Sequence, residues 1–300
     1  MDTYFYKLKF NAPVHFGKTD VSGGEVTVFA DTLFSALYIE ALKLDDAEML
    51  YGYVQSGNLL VSDLMPYNGD TYYIPKPIMV IRSDKKSDSS LKKQFKKLSH
   101  IPIDDIEPFL EAEYDPKTPL EKLSQISSSS LRQMVNLLPE EDKKPYSVGI
   151  CSFRENCGLY FVLQAESDAK ALMDKLIKSL SYAGIGGKRS SGFGRFEYEC
   201  IEKELPKPID KKGIHMSLSV CLPKDSELDG AMENATYDLI KRSGFVASES
   251  YSETPLRKRD LFCFKGGSVF KNKFEGDIFD VSSGGAHPVY RYARPMWLSL

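Results

Sequence analysis

Apolar and polar positions alternate along Thr3-Tyr4-Phe5-Tyr6-Lys7-Leu8-Lys9-Phe10. That period of two predicts a strand over 3–10. A loop follows, Asn11-Ala12-Pro13-Val14-His15-Phe16-Gly17-Lys18, running on to Gly23-Gly24. The period then lengthens. Leu33, Phe34, Leu37, Tyr38, Ala41 and Leu42 fall on one helical stripe, with Asp31 the expected N-cap. Residues 58–64 read as a second strand. Tyr72-Tyr73-Ile74-Pro75-Lys76-Pro77-Ile78 is extended, but its prolines confine it to a sheet edge or a loop.

Residues 82–150 break this rhythm. Lys85, Lys86, Lys92, Lys93, Lys96 and Lys97 make a basic run at helical spacing. Asp104, Asp105, Glu107, Glu111, Glu113 and Asp115 make an acidic one, and Ser127 to Ser130 form a serine tract. The stretch reads as a long insertion, partly helical and partly mobile, too irregular for a sheet layer. Regularity returns in Gly158-Leu159-Tyr160-Phe161-Val162-Leu163-Gln164-Ala165, a strand. Ser167 is the expected cap of a helix with Leu172, Leu176, Leu180 and Ala183 on its apolar face and Ile177 alongside. A new strand is expected from Phe193 to Cys200. The order is β-α-β, insertion, β-α-β, which is the split βαβ or ferredoxin-like order.

Residues 203–212, with Pro206 and Pro208 among charges, read as a linker. Beyond it the pattern predicts a strand over 214–222, a helix near 228–243, and strands near 260–264, 277–281 and 288–299. The expected fold class is therefore α+β. One domain spans 1–205, with its insertion at about 82–150, and a smaller one spans 213–300.

Composition narrows the chemistry. The 300 residues allow two domains at roughly 150 residues each. With 39 Lys+Arg against 42 Asp+Glu the net charge is −3, so any polyanion must be met by local patches. No apolar run approaches the ~18 residues of a membrane span, and Met1-Asp2-Thr3-Tyr4 does not begin a secretory signal. A soluble, cytosolic protein is expected. The five cysteines, Cys151, Cys157, Cys200, Cys221 and Cys263, contain no C-x-x-C pair, so neither a disulfide framework nor a zinc site follows. Paired acids such as Asp45-Asp46 and Glu140-Glu141-Asp142 read as solvated surface charge rather than metal ligands.

The strongest chemical signal is the segment 184–195, Gly-Ile-Gly-Gly-Lys-Arg-Ser-Ser-Gly-Phe-Gly-Arg. It holds five glycines, three cations and no acid. Glycines allow close backbone approach, and consecutive N–H groups in such a turn form an anion-binding nest. Lys188, Arg189 and Arg195 add charge, and Ser190 and Ser191 add hydroxyl donors. The segment follows a helix and precedes a strand, and Arg189 stands where a dinucleotide fingerprint would place its third glycine. Gly187-Lys188 is followed by Arg189, not by the Ser or Thr of a P-loop. The pattern suits a nucleic-acid backbone better than a nucleotide cofactor, and no cofactor is expected. A second basic patch runs through Arg257, Lys258, Arg259, Lys265, Lys271 and Lys273, and the tail carries Arg291 and Arg294. Phe16, Phe193, Phe270 and Tyr290 are aromatics near cations that could stack bases, although Phe193 also reads as core. His15 suits an RNA or loop contact, a structural hydrogen bond, or general acid–base work.

Gly184 to Phe196 resembles the glycine-rich loop of the RAMP superfamily of CRISPR-associated RNA-binding proteins. Phe10 to Gly17, the Asp31-Thr32-Leu33-Phe34-Ser35-Ala36-Leu37 helix, Ile74-Pro75-Lys76-Pro77, Gly266-Gly267-Ser268 with Phe274-Glu275-Gly276, and His287-Pro288 are similar to the fourth-subunit family of type III-A Csm effector complexes. The resemblance implies two ferredoxin-like, RRM-like domains and a non-catalytic subunit. Such a subunit grips the 5′ tag of the crRNA, touches the large polymerase-palm subunit and the first backbone RAMP subunit, and lies near target RNA at the tag. A hairpin-like thumb in the first domain would interrupt guide–target pairing. On this reading Gly186, Gly187, Lys188, Arg189, Ser190, Ser191 and Arg195 bind RNA, with His15, Phe16, Lys18 and Lys76 lining the same cleft and Arg257 and Arg259 adding a second contact. The alternative is a metal-independent endoribonuclease that processes precursor RNA with His15.

Overall fold

The computed structural model describes residues 1–17, 26–80, 89–135, 145–206, 213–248 and 251–300. In chain order the first part contains β1 (Asp2–Phe10), α1 (Ala30–Lys43), α2 (Ala47–Gln55), β2 (Leu59–Val61), β3 (Met65–Asn68) and β4 (Thr71–Pro75). The insertion supplies α3 (Ser89–Lys97), β5 (His100–Pro102), α4 (Ile106–Leu110), α5 (Lys117–Ser124), β6 (Ser127–Val135) and β7 (Pro145–Phe153). Then come β8 (Cys157–Ala165), α6 (Ser167–Ala183) and β9 (Phe196–Glu202). The C-terminal part holds β10 (His215–Ser217), α7 (Leu228–Met232), β11 (Leu239–Arg242), β12 (Leu261–Phe264), β13 (Val269–Phe270), β14 (Ile278–Asp280), β15 (Tyr290–Tyr292) and β16 (Trp297–Ser299).

The fold is mixed α/β with antiparallel sheets. Its main sheet runs β5-β4-β3-β8-β1-β9, with β2 also on β8. The central strand β8 is almost wholly apolar because both its faces are covered. On one face Tyr6 and Leu8 of β1 and Phe161 and Leu163 of β8 meet Leu33, Phe34 and Leu37 of α1 and Leu172, Leu176 and Leu180 of α6. On the other, Phe5, Tyr160 and Val162 meet Met216, Leu218, Met296 and Leu298 of the C-terminal part and Ile101 and Phe109 of the insertion. Register alternation decides which residue goes where: Tyr6 stacks on Phe161 at 5.0 Å on the helix face, and Phe5 on Tyr160 at 5.4 Å on the opposite face.

Several expectations need correction. Asp31 does not cap α1; it lies inside the first turn, buried. The Ala30 N–H is capped from a distance by Asp63 Oδ1 at 2.7 Å. Asp31 instead accepts from Arg242 Nε and NH2 at 2.9 and 2.8 Å, and from Arg291. Ser167 is the first residue of α6, which starts with no side-chain cap. The segment Thr71–Pro75 is not an edge, since β3 and β5 flank it and the edge is β5. Pro75 is tolerated as the strand's last residue. The serine tract is not irregular: Ser127–Val135 pairs along its whole length with Pro145–Phe153 in a two-stranded ribbon. The expected strand from Phe193 starts at Phe196, because Gly192 and Gly194 at φ +83 and +76 keep the chain turning.

In the C-terminal part, the helix expected over 228–243 stops at Met232. Asn234 takes the left-handed conformation at φ +55 and ends it. Leu239–Arg242 then pairs with Leu261–Phe264 as a second ribbon. The strand expected over 214–222 shrinks to His215–Ser217, because Ser219 folds its hydroxyl onto the Arg294 carbonyl and the chain kinks. The expected 288–299 strand is two short ones around Arg294-Pro295, in different small sheets. Arg291 and Arg294 are buried and internal, on Asp31 and on the Gln55 carbonyl, so the cationic tail is structural.

Candidate nucleic-acid interface

Antiparallel pairing fixes which loops share an end of the main sheet. Phe10 at the end of β1 pairs with Phe196 at the start of β9, and β7 leads directly into the start of β8. The loop after β1, the glycine segment between α6 and β9, and the ribbon β6–β7 therefore meet at one end. Val14 bridges Cys151 of β7, with N–H···O distances of 2.8 and 2.9 Å in both directions.

The glycine segment is packed against its own protein. Gly184 N–H donates to Leu180 O at 2.7 Å, Ile185 to Gly194 O at 3.0 Å, Gly187 to His15 O at 2.9 Å and Gly194 to Pro13 O at 3.0 Å. The expected nest at Gly187 is thus spent internally, since the N–H groups of a tight loop take the nearest carbonyls. The glycines serve close approach. A Cβ on Gly186, at φ +97, would lie 2.7 Å from the His15 carbonyl, and one on Gly194 would lie 2.1 Å from Ile185 O. What faces outward is side chain: Ser190, Ser191 and Arg195 are exposed, with Lys188 and Arg189 half-buried.

Lys188 adopts a left-handed backbone at φ +60, an unfavourable state for a residue with a Cβ. Tyr146 of β7 holds it there. Lys188 Nζ donates to the Tyr146 hydroxyl at 2.8 Å and lies 4.6 Å from its ring centroid. Arg132 of β6 covers the Phe193 ring at 5.5 Å. The ribbon is therefore clamped to the glycine turn by two cation–π contacts. Sequence reasoning assigned no site residue in the insertion and so missed Arg132 and Tyr146. No period-two hydrophobic signal marks them, because the strand Ser127–Val135 is mostly exposed. Arg189 also lies near the buried Glu40. Burial pushes that carboxyl up, but Lys43 and Ser179, which bond it, and then Arg189 hold it below its ordinary range.

The remaining predicted residues divide. His15 is buried, with Nδ1 2.7 Å from the Gly149 carbonyl, so the imidazole ties the β1–α1 loop to the ribbon. Phe16 is buried edge-on against Phe10 at 6.2 Å and cannot stack a base. Phe193 and Phe270 are likewise core, and Tyr290 packs on Tyr38 and Tyr51. Lys18 lies outside the described residues. Lys76 is not in this cleft. It follows β4, whose end lies at the opposite end of the sheet, and four strand steps separate β4 from β9, roughly 19 Å at the usual spacing. There its Nζ donates to the Phe95 carbonyl. Arg257 and Arg259 are exposed on the C-terminal part, Arg257 over the Phe245 ring and Arg259 on the Asp280 carbonyl at 2.7 Å.

All five cysteines are free thiols. Among the described residues no three His, Cys, Asp or Glu side chains gather as metal ligands, and no helix is long and apolar enough to cross a membrane.

Comparison with known proteins agrees with this architecture. Residues 210–300 match the family model described as the CRISPR Csm4 C-terminal domain. A Mycobacterium tuberculosis protein named CRISPR system Cms protein Csm4 is 38% identical over 304 aligned residues, covering 100% of this chain and 98% of the relative. A Streptococcus thermophilus protein of the same name is 34% identical over 298, covering 95% of each. Among solved structures, a chain of a Csm3–Csm4 subcomplex of the type III-A CRISPR–Cas interference complex superposes with a TM-score of 0.68 at 22% identity. It covers 100% of this chain and 99% of that one. A chain of a Csm1–Csm4 cassette bound to AMPPNP gives a TM-score of 0.66 at 20% identity, covering 100% and 98%. On its full-length similarity to these relatives, the chain belongs to the CRISPR Csm4 family.

Proposed function

We propose that this protein is a non-catalytic RNA-binding subunit of a type III-A CRISPR effector that holds the 5′ tag of the crRNA. It bridges a Csm1-like large subunit to a Csm3-like backbone filament. The observation that carries the RNA reading is the outward set of Arg189, Ser190, Ser191 and Arg195 on a turn whose backbone is locked. Arg132 and Lys188 stand beside it at the ribbon. In this reading the grip comes from side chains on a rigid turn rather than from a nest of amides. Salt-dependent neutralisation of phosphates then supplies most of the affinity. Solved relatives pair Csm4 with Csm3 in a subcomplex and with Csm1 in a cassette, which supports the bridging role.

The strand order β9-β1-β8-β3, with α1 and α6 on one face, supports a ferredoxin-like domain over 1–205. A second, degenerate copy over 213–300 rests on the family resemblance. The ribbon β6–β7 is the counterpart of the thumb that would part guide from target. The alternative, an endoribonuclease using His15, is disfavoured because the imidazole is buried and its Nδ1 is committed to Gly149.

The test is retention of crRNA by the assembled effector carrying Arg189→Ala with Arg195→Ala. Retention should fall at least tenfold at moderate salt while subunit stoichiometry holds. Unchanged retention across a salt series would overturn the RNA reading. Cleavage of precursor RNA by the wild-type chain, abolished by His15→Ala, would overturn the non-catalytic one.

A further inference from the structure

The lysine-rich run of the insertion does not belong to the ribbon. Lys92, Lys93, Lys96 and Lys97 all lie on α3, at the edge of the main sheet formed by β4 and β5 and far from the glycine turn. At 100° per residue they occupy one side of the helix, spanning about 140°. All four are exposed, and among the described residues none has an ion-pair or hydrogen-bond partner. The opposite side of α3 is spent on packing: Leu98 is buried, and Phe95 meets Phe109 and Tyr114, each with ring centroids 6.4 Å apart. At the end of α3, Lys76 donates to the Phe95 carbonyl. Burial holds the Lys76 ammonium below its ordinary pKa against the opposing pull of the exposed Asp238, with the exposed Lys265 of the C-terminal part a smaller cause on the side of burial.

We infer that this face is a second nucleic-acid contact that binds the phosphate backbone of a single strand without reading its bases. The chemistry excludes the other partners of a basic helix. A helix that lies in a membrane interface needs an exposed apolar side, and this one is buried in the protein. Protein interfaces are depleted in lysine and anchored by aromatic or aliphatic hot spots, and the lysine side of α3 offers none. Unpaired lysines held by a rigid, anchored helix suit a phosphate chain, which is bound by charge alone. Because α3 and the glycine turn lie at opposite ends of one sheet, the strand held here is a different segment from the one held at the turn.

The inference does not depend on the 5′-tag reading, and the experiment separates the two. Binding of a labelled single-stranded RNA, and of a DNA of the same sequence, is measured with the full chain over a salt series. The variants carry all four lysines changed to Ala, all four changed to Arg, or Arg189→Ala with Arg195→Ala. The alanine variant should bind at least tenfold more weakly at low salt, with the log–log salt slope reduced by about 0.7 for each lost contact. The arginine variant should bind as the wild type does. Loss for RNA and DNA alike supports a backbone contact, and loss for RNA alone supports one that also senses the 2′-hydroxyl. If the alanine variant retains wild-type affinity and slope for both strands, the inference is wrong, whatever the turn variant does. Binding of the wild type to anionic vesicles as tight as to RNA, abolished in the alanine variant, would overturn it equally.

Discussion

Two buried aspartates do opposite things at neighbouring positions. Asp31 is pushed up by burial, but Arg242 and then Arg291 outweigh it and hold the carboxyl below its ordinary range. Its pairs therefore stabilise the fold above about pH 4 and fail only in acid. Asp63 has no such partner. Both N–H groups that reach it, from Ala30 at 2.7 Å and Val220 at 2.9 Å, converge on Oδ1, while Oδ2 faces Gly266. Burial dominates those bonds and raises its pKa to about 7. The sign is opposite to the usual carboxylate case. Between about pH 4, where the unfolded chain ionises, and about pH 7 the folded state keeps a proton that the unfolded state has lost. Stability from this group is complete below that window and declines as pH rises through it. Replacing Asp63 with Asn keeps an acceptor for both N–H groups and removes the titration. Unfolding free energies from urea titrations at pH 4 to 8 should show Asp63→Asn gaining on the wild type by about 4 kcal/mol across the window, at about 1.4 kcal/mol per pKa unit. Parallel curves would refute a neutral Asp63.

Among the elements, the glycine turn was legible as a site but not as a mechanism. Five glycines and three cations announced a special turn. What the spacing could not show is that the Gly187 and Gly194 amides face inward to His15 and Pro13, residues more than 170 positions away in the chain. The turn's geometry makes a sharp distinction between two glycines of equally positive φ. Gly192 has open space around its Cβ position, so Gly192→Ala should cost only the left-handed penalty of about 1 kcal/mol. Gly194→Ala would thrust a methyl onto Ile185 O and should cost several kcal/mol. Chemical denaturation of the two variants measures the difference, and equal losses would mean that the turn is not locked as described. The ribbon was misread for a related reason. A nine-residue strand of mostly exposed residues carries no period-two hydrophobic signal, and its register comes from pairing and from the clamps of Arg132 and Tyr146.

At the level of the whole molecule, the two parts of the chain share their cores. Met216, Leu218, Val269 and Met296 bury the second face of the main sheet, and Tyr292 donates its hydroxyl to the Val61 carbonyl while packing against Phe34. Asp31 spans 211 and 260 residues to reach Arg242 and Arg291. Removing one partner of such a buried cluster leaves uncompensated charge, a loss of about 3–5 kcal/mol. The segment matched by the Csm4 C-terminal model should therefore not stand alone. A fragment of residues 213–300 is expected to show no cooperative urea transition by circular dichroism. A sigmoidal transition in the fragment would show that its small sheets suffice.

The local pattern determined what depends on neighbours a few residues apart. Period two placed β1 and β8, period 3.6 placed α1 and α6, and the glycine-rich composition marked the turn between α6 and β9. Tertiary structure alone decided how polar groups are partnered, because their partners come from anywhere in the chain. Asp63 rather than Asp31 caps α1, His15 ties its loop to the ribbon through Gly149, and antiparallel pairing sends Lys76 to the far end of the sheet from the cations it was expected to join. Hydrophobic burial is additive and local enough to be written in a period. The satisfaction of buried charge and backbone is a matching problem over the whole molecule, and only the folded chain solves it.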